Sequence, residues 1–282
     1  MSVTLHPLTV DDIVDVDPIL TVAYARPHSM AGVLRGYLRL QPDGWFLARL
    51  DGVLAGMGGV ILYGDLARIG LLATRPDLQR RGIGQALMEY LLAWARERGA
   101  TTVRLDASPA GEPLYRRLGF VTDDYARVYC CAPADALATP MADGVSRYQP
   151  ADLPPLIAFD AERFGASRAV VLAQYCEQFA ERAFVARDDG ERVTGYLIVQ
   201  AKTLGPWLAE SPEVAEALLR RALPLCSADT QALVPESNHA ALAMVERAGF
   251  TPMRRLAAMR LGGAPELERR QWLYGYANFY AG

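Results

Sequence analysis

The chain has few of the residues from which metal sites and disulfide frameworks are built. Its 282 residues include four cysteines and three histidines. Neither set shows the paired spacing of zinc ligands, and the cysteines are scattered along the chain. We therefore expect no metal, and we expect the thiols to be small buried hydrophobic groups in a protein of the reducing cytoplasm. The residues concerned are Cys130, Cys131, Cys176, Cys226, His6, His28 and His239.

Long apolar runs and a strong net charge are also missing. No window approaches the ~20 apolar residues of a membrane span, and the residues from Met1 to Pro7 lack the regions of a signal peptide. The formal net charge of -3 argues against a broad nucleic-acid surface. With 51% hydrophobic and 22% charged residues, the composition predicts a globular protein of two domains that binds neither membrane nor nucleic acid. The sequence does not decide between a monomer and a homodimer.

What the chain does contain is an apolar strand that runs into a basic, glycine-spaced turn and then into an amphipathic helix. The first N–H groups of a helix have no partner within it and carry partial positive charge. Glycine lets a ligand approach the backbone closely, and arginine adds charge. The pattern predicts a site for a diphosphate group, and an ordinary tight strand–helix connection is the structural alternative. The turn consists of Gln79, Arg80, Arg81, Gly82, Ile83, Gly84 and Gln85.

The apolar periodicity of the first half predicts alternating strands and helices. The dipeptide Asp51-Gly52 is a strong signal for a hairpin turn between two strands. Gly99 is placed to end the long helix that follows the glycine turn. We predict strands over 3–8, 45–50, 53–62, 67–74, 101–106 and 125–131, and helices after Thr9 or Asp11 and over 30–40, 86–98 and 112–118.

The same order of elements repeats in the second half, without the features of the glycine turn. Before the corresponding long helix, Pro206 and Pro212 remove N–H donors, and Glu210 and Glu213 would repel a diphosphate. The simplest interpretation is two domains with one plan, 1–132 and 146–282, joined by a linker over 133–145.

Two motifs in the first half resemble those of the GNAT superfamily of acyl-CoA N-acyltransferases. The run from Gln79 to Gly84 is similar to its Gln/Arg-x-x-Gly-x-Gly/Ala signature, and Tyr115, Gly119 and Phe120 match its Tyr-x-x-x-Gly-Phe segment. The second half resembles the degenerate second lobe of tandem GNAT proteins. The resemblance implies an α/β (α+β) fold of two GNAT-like lobes, each a mixed, mostly antiparallel central sheet flanked by helices.

The resemblance also implies a co-substrate, acetyl-CoA, and the residues that bind it. Backbone N–H groups from Arg80 to Gln85 would hold the pyrophosphate of coenzyme A. The backbone of Leu72, Ala73 and Thr74 would pair with the pantetheine amides where this strand splays from its neighbour. The implied activity is transfer of an acetyl group to a primary amine of a small molecule or peptide.

The resemblance assigns a catalytic role to Tyr115, as the general acid that protonates the departing thiolate. A phenol with a pKa near 10 keeps its proton at neutral pH, so it can supply it. The alternative is a tyrosine that only packs under the turn at Gly119. No general base is assigned, because the strand before the glycine turn has no carboxylate, and Asp65, Asp106 and Glu112 are more typical of loops and caps.

Several alternatives remain open from the sequence. The chain could be a non-catalytic acyl-CoA-binding or regulatory protein, or it could transfer a longer acyl group. Trp45, Tyr63 and Tyr90 are expected in the core, although they could line a substrate pocket. The segment from Asp160 to Arg168 could shape a ligand site or form a turn and cap, and the aromatic segment from Trp272 to Tyr280 is expected to pack.

Overall fold

The computed structural model describes residues 2–131, 144–263 and 270–282. The predicted linker over 133–145 lies outside these ranges except for its last two residues. Contacts divide the chain into two compact units. The first consists of Met1–Leu105 with Leu261–Gly263, and the second of Asp106–Arg260 with Ala264–Gly282.

The first unit is built on a mixed sheet in the order β1-β2-β3-β4-β5. The first four strands pair antiparallel, and β4 pairs parallel with β5. The strands are β1 Val3–Pro7, β2 Trp45–Leu50, β3 Val53–Tyr63, β4 Leu66–Thr74 and β5 Thr102–Ala107, and the helices are α1 Ile13–Ala23, α2 Ala31–Leu40 and α3 Ile83–Glu97.

Local signals account for the turns of this unit. Asp51 and Gly52 both have positive φ, 47° and 84°, as a tight hairpin turn between β2 and β3 requires. Helix α3 begins at Ile83, three residues before the predicted start, because Gly82 is left-handed at φ 83° and the helix follows directly. Leu87 and Leu91 of α3 are fully buried, which fixes the face that the helix turns to the sheet.

The second unit also contains a mixed sheet, in the order β12-β6-β11-β10-β9-β8-β7. Its neighbours are antiparallel except for β10 and β11, which are parallel. The strands are β6 Val121–Cys131, β7 Val145–Arg147, β8 Ala183–Arg187, β9 Val193–Val199, β10 Thr203–Ala209, β11 Gln231–Pro235, β12 Phe250–Gly262 and β13 Leu273–Gly275. The helices are α4 Glu112–Arg117, α5 Leu153–Phe164, α6 Ala169–Gln178, α7 Pro212–Ala222 and α8 His239–Arg247. The predicted fold class, mixed sheets flanked by helices, is confirmed.

Strand β6 is paired along both of its edges. It lies antiparallel to β11 on one side and to β12 on the other. An ion pair of 2.6 Å joins Arg127 of β6 to Glu236 beyond the end of β11, and the hydroxyl of Ser237 donates to Asp124 at 2.7 Å. Strand β6 starts four residues before the predicted Tyr125, because these distant partners hold its acidic first residues.

The C-terminal segment fills a gap in the sheet of the second unit. Strands β10 and β11 pair only at Thr203 and Leu204, after which β13 takes the place beside β10. The amide of Tyr276 then donates to the carbonyl of Leu233 on β11. The aromatic segment therefore packs inside the sheet.

A buried ion pair holds the segment from Asp160 to Arg168. The guanidinium of Arg168 donates to both oxygens of Asp160, and both side chains are fully buried. The Tyr196 hydroxyl donates to Asp160, and Arg168 also donates to the carbonyl of Gly282 at 2.6 Å. Gly165 ends α5 in the left-handed conformation, at φ 88°. The segment thus ends helix α5, and its Arg168 is hydrogen-bonded to the C-terminal turn.

Replacing Arg168 with methionine is expected to destabilise the protein by about 3–5 kcal/mol, because it leaves the Asp160 charge buried without its partner. Urea unfolding measures this cost. The double variant Arg168→Met with Asp160→Asn should recover a large part of it. Arg220→Met removes an exposed pair with Glu216 and should have little effect. An Arg168→Met variant as stable as the wild type would contradict a stabilising role for the ion pair between Arg168 and Asp160.

Candidate functional site

The glycine turn presents the N-terminus of α3 to solvent. Arg80 and Gly82 both have positive φ, 62° and 83°, and no side chain caps the helix. The side chains from Gln79 to Arg81 are exposed, as is Gln85, while Ile83 is buried under the turn. The first N–H groups of α3, those of Ile83, Gly84 and Gln85, have no carbonyl to pair with inside the helix.

The electrostatic field at this turn is positive. Within the described ranges, neither Arg80 nor Arg81 has an ion-pair partner within bonding distance. The hydrogen bond from Arg75, with a smaller contribution from Arg81, holds the pKa of the Asp77 carboxyl below its usual value. The dipole of α3 and the two arginines therefore both favour binding of an anion at this turn.

Strand β4, which leads into the turn, contains a β-bulge. Leu71 and Leu72 together lie opposite Gly58, since Gly70 pairs with Gly59 and Ala73 with Met57. Leu71 has a φ of 51°, which is strained for a residue with a branched side chain. Such an outlier is often found at a functional site, because the bulge re-aims the backbone groups next to it.

Beyond the bulge, one edge of β4 has no neighbouring strand among the residues that the structure describes. The pairing between β4 and β5 ends at Arg68 and Arg104. The backbone amide of Arg75 donates to the carbonyl of Ala55 on β3. Because alternate residues of a strand face the same neighbour, the backbone groups of Ala73 also face β3. Those of Leu72 and Thr74 face the opposite, open side. This open edge ends at Thr74, and a short 3₁₀ turn, Pro76–Leu78, connects it to the glycine turn. An extended ligand along the edge would run from the bulge toward the α3 N-terminus.

One residue at the open edge was not predicted from the sequence. Tyr24 follows α1, and its hydroxyl donates to the carbonyl of Leu72 at 3.3 Å. Its side chain is half-buried. A single tyrosine at a helix end gave no signal for this position, because its partner lies 48 residues further along the chain.

Tyr115 lies in the second unit, on α4, and 8% of it is exposed. Its ring centroid is 6.1 Å from that of Phe120, and a Cβ placed on Gly111 would come within 2.9 Å of the ring. Burial, with a smaller contribution from Tyr280, raises the pKa of Tyr115 to about 12. The phenol therefore keeps its proton throughout the neutral range.

The structure gives no reason to assign a general base. Asp65 is exposed in the turn between β3 and β4. Glu112 forms an ion pair of 2.6 Å with Arg116, one turn further along α4. Asp106 is half-buried on β5. Of these three carboxylates, Glu112 is thus tied to a cation within its own helix.

Of the three aromatic residues expected in the core, two are buried and one is exposed. Trp45 and Tyr63 are buried, with exposures of 1% and 5%. Tyr90 is 39% exposed and contacts the edge of Phe46, with ring centroids 4.8 Å apart. Tyr90 is therefore a surface residue of α3, because the helix turns Leu87 and Leu91 inward instead.

Two kinds of site are missing from the described part of the chain. No helix there has the length and apolar character that crossing a bilayer requires. The same residues contain no cluster of three or more histidine, cysteine or acidic side chains able to hold a metal ion.

Comparisons with known proteins bear on both halves. The model of the Acetyltransferase (GNAT) family matches residues 12–120, and that of an Acetyltransferase (GNAT) domain matches residues 156–275. YitH of Bacillus subtilis, described as an uncharacterized N-acetyltransferase, is 29% identical over 166 residues. The match covers 58% of this chain and 58% of that protein, so it spans little more than half of the relative's length.

Solved structures extend the similarity to the whole chain. A chain from Pyrococcus horikoshii described as an acetyltransferase has a TM-score of 0.87 at 29% identity, over 99% of this chain and 96% of its own. A tandem GNAT protein from the clavulanic acid biosynthesis pathway shares the fold, with a TM-score of 0.62 at 19% identity over 94% and 100%. The chain therefore belongs to the GNAT superfamily of acetyltransferases, as a protein with two GNAT domains in tandem.

Proposed function

We propose that the protein is an acetyl-CoA-dependent N-acetyltransferase with one working site, in its first GNAT domain. The observation that supports this most directly is the open edge of β4, which the chain leaves through a short turn and the glycine turn to reach the uncapped N-terminus of α3. An open strand edge and an anion site in series match the two ends of coenzyme A, an amide-containing arm and a diphosphate.

The residues present fit the diphosphate. Gly82 has open space where a Cβ would stand, so a phosphate can come close to the backbone there. The N–H groups of Ile83, Gly84 and Gln85 would donate to the phosphate oxygens. Gln79, Arg80 and Arg81 would surround them with further donors and positive charge.

The residues present also fit the pantetheine arm. Its amides would extend β4 as a short additional strand, pairing with the backbone of Leu72 and Thr74 on the open side. Ala73 lies between them, with its own backbone groups on β3. Recognition through the backbone explains why these side chains are ordinary, and it sets the thioester beside the bulge.

The co-substrate would supply an acetyl group activated as a thioester. A neutral amine would attack its carbonyl directly, forming a C–N bond as the C–S bond breaks. Backbone N–H groups at the bulge would stabilise the developing oxyanion. Tyr115 would give its proton to the sulfur and regain one from solvent, and water would take the proton that the amine loses. Much of the rate enhancement would come from holding the two reactants together.

The second GNAT domain would not bind coenzyme. Its helix α7 begins with Pro212, which has no N–H, and the Ser211 side chain accepts from the amide of Val214. Its gap between β10 and β11 is filled by β13. We propose that this domain contributes to folding, and that the protein acts in the cytoplasm on a small-molecule or peptide amine.

Calorimetric titration with acetyl-CoA, followed by a screen of amines for acetyl transfer, tests the proposal. We expect saturable binding and turnover of at least one amine class among polyamines, amino acids, aminoglycosides and peptides. Binding without turnover of any amine would favour a non-catalytic acyl-CoA-binding protein. Absence of binding would overturn the proposal.

A further inference from the structure

Tyr24 reaches the open edge of β4 from a separate element. Helix α1 packs on the sheet through Ile13, Val16 and Leu20, and Tyr24 follows its last residue. The Tyr24 hydroxyl lies 3.3 Å from the Leu72 carbonyl oxygen, which faces the open side. A phenol is thus fixed at the bulge, on the side from which strand β5 is missing.

The position of this phenol follows from backbone geometry. Leu72 is the second of the two residues that form the bulge, and its carbonyl is one residue from the strained Leu71. Successive residues of a strand are about 3.3 Å apart, so the hydroxyl and the backbone of the bulge are neighbours on the open side. A thioester whose carbonyl is held by those amides would have its acyl chain next to the Tyr24 ring.

We propose that Tyr24 is a specificity-determining residue whose ring closes the acyl pocket and restricts it to short chains. The inference rests on the proposed function, since it concerns the same site. In this proposal the ring leaves room for a methyl group, whereas a longer chain would have to displace it. Each additional methylene would gain from burial only if the ring were absent.

The hydroxyl and the ring have separable effects. Tyr24→Phe keeps the wall and removes one donor from the Leu72 carbonyl, so the preference for short chains should persist. Tyr24→Ala removes the wall, and Tyr24→Leu removes only part of it. Val22→Ala is a matched control, because Val22 lies two residues earlier and is 60% exposed.

The experiment measures dissociation constants of acetyl-, butyryl- and hexanoyl-CoA by calorimetry for the wild type and the four variants. We expect the wild type, Tyr24→Phe and Val22→Ala to bind acetyl-CoA at least tenfold more tightly than hexanoyl-CoA. Tyr24→Ala should reduce that ratio at least tenfold, and Tyr24→Leu should give an intermediate ratio. Acyl transfer to an amine substrate should shift in the same order.

Two results would overturn the inference while leaving the proposed function intact. One is a wild type that binds hexanoyl-CoA as tightly as acetyl-CoA. The other is an unchanged ratio in both Tyr24→Leu and Tyr24→Ala. If Tyr24→Ala does not fold, as judged by circular dichroism, Tyr24→Leu decides alone. A wild type that binds none of the three thioesters would overturn both proposals, and this outcome is recognised before any variant is compared.

Discussion

Replacing Gly82 with glutamate is expected to abolish binding of coenzyme A while the protein remains folded. A Cβ at this position would meet no atom within 4 Å, so the new side chain can leave the backbone without a clash. Its carboxylate would lie at the N-terminus of α3, where the helix dipole attracts it, and would compete with the diphosphate for the same N–H groups. We expect affinity to fall at least a hundredfold, as measured by calorimetry.

The backbone cost of this substitution needs its own control. A residue other than glycine at φ 83° lowers the free energy of unfolding by about 1–2 kcal/mol. Gly64, in the turn between β3 and β4, also has a positive φ of 67°, and a Cβ added there would meet no atom within 4 Å. Gly64→Glu therefore introduces the same charge and a similar strain away from α3. It should bind coenzyme A as the wild type does, and unchanged affinity in Gly82→Glu would contradict the proposed phosphate site.

Replacing Tyr115 with phenylalanine is expected to lower kcat by a factor of about 10²–10⁴, the usual contribution of a general acid. The ring and its packing against Phe120 are retained, so KM for acetyl-CoA should change little. Steady-state kinetics on the amine found in the screen measure both constants. Tyr90→Phe, a change on the surface of α3, is the control. A Tyr115→Phe enzyme as active as the wild type would exclude the general-acid role.

The pH dependence gives a second test of this role. Burial raises the pKa of Tyr115 to about 12, so the phenol is protonated below that pH. In the wild type, kcat should therefore rise as the bound amine loses its proton and then stay level to about pH 10, without an alkaline loss from the phenol. A fall in kcat with an apparent pKa of 8 or 9 would show that another group supplies the proton.

Local signals made much of the first unit predictable. The hairpin at Asp51-Gly52, the turn at Gly82 and the amphipathic face of α3 each depend on residues within a few positions of one another. The bulge in β4 could not be predicted, because Leu71 has no preference for a left-handed conformation. Tyr24 could not be found either, since its position depends on how α1 packs on the sheet.

Long-range pairing limited the prediction of the second unit. Two acidic residues near the start of β6, Asp123 and Asp124, are of a type common in loops, yet they lie within the strand. Asp123 pairs with Arg260 and Arg270, and Asp124 with Ser237. Strand β12 was not predicted, and its pairing with β6 is decided by contacts between residues more than 100 positions apart. Periodicity within a short window carries no information on such contacts.

The double pairing of β6 determines how the chain can be divided. A fragment that stops at residue 132, the predicted end of the first domain, would keep β6 and lose both β11 and β12. Its two hydrogen-bonding edges would then be bare, and the buried side chains of Val128 and Tyr129 would face water. Bare strand edges of this kind recruit other chains. A protein truncated at that point would therefore aggregate.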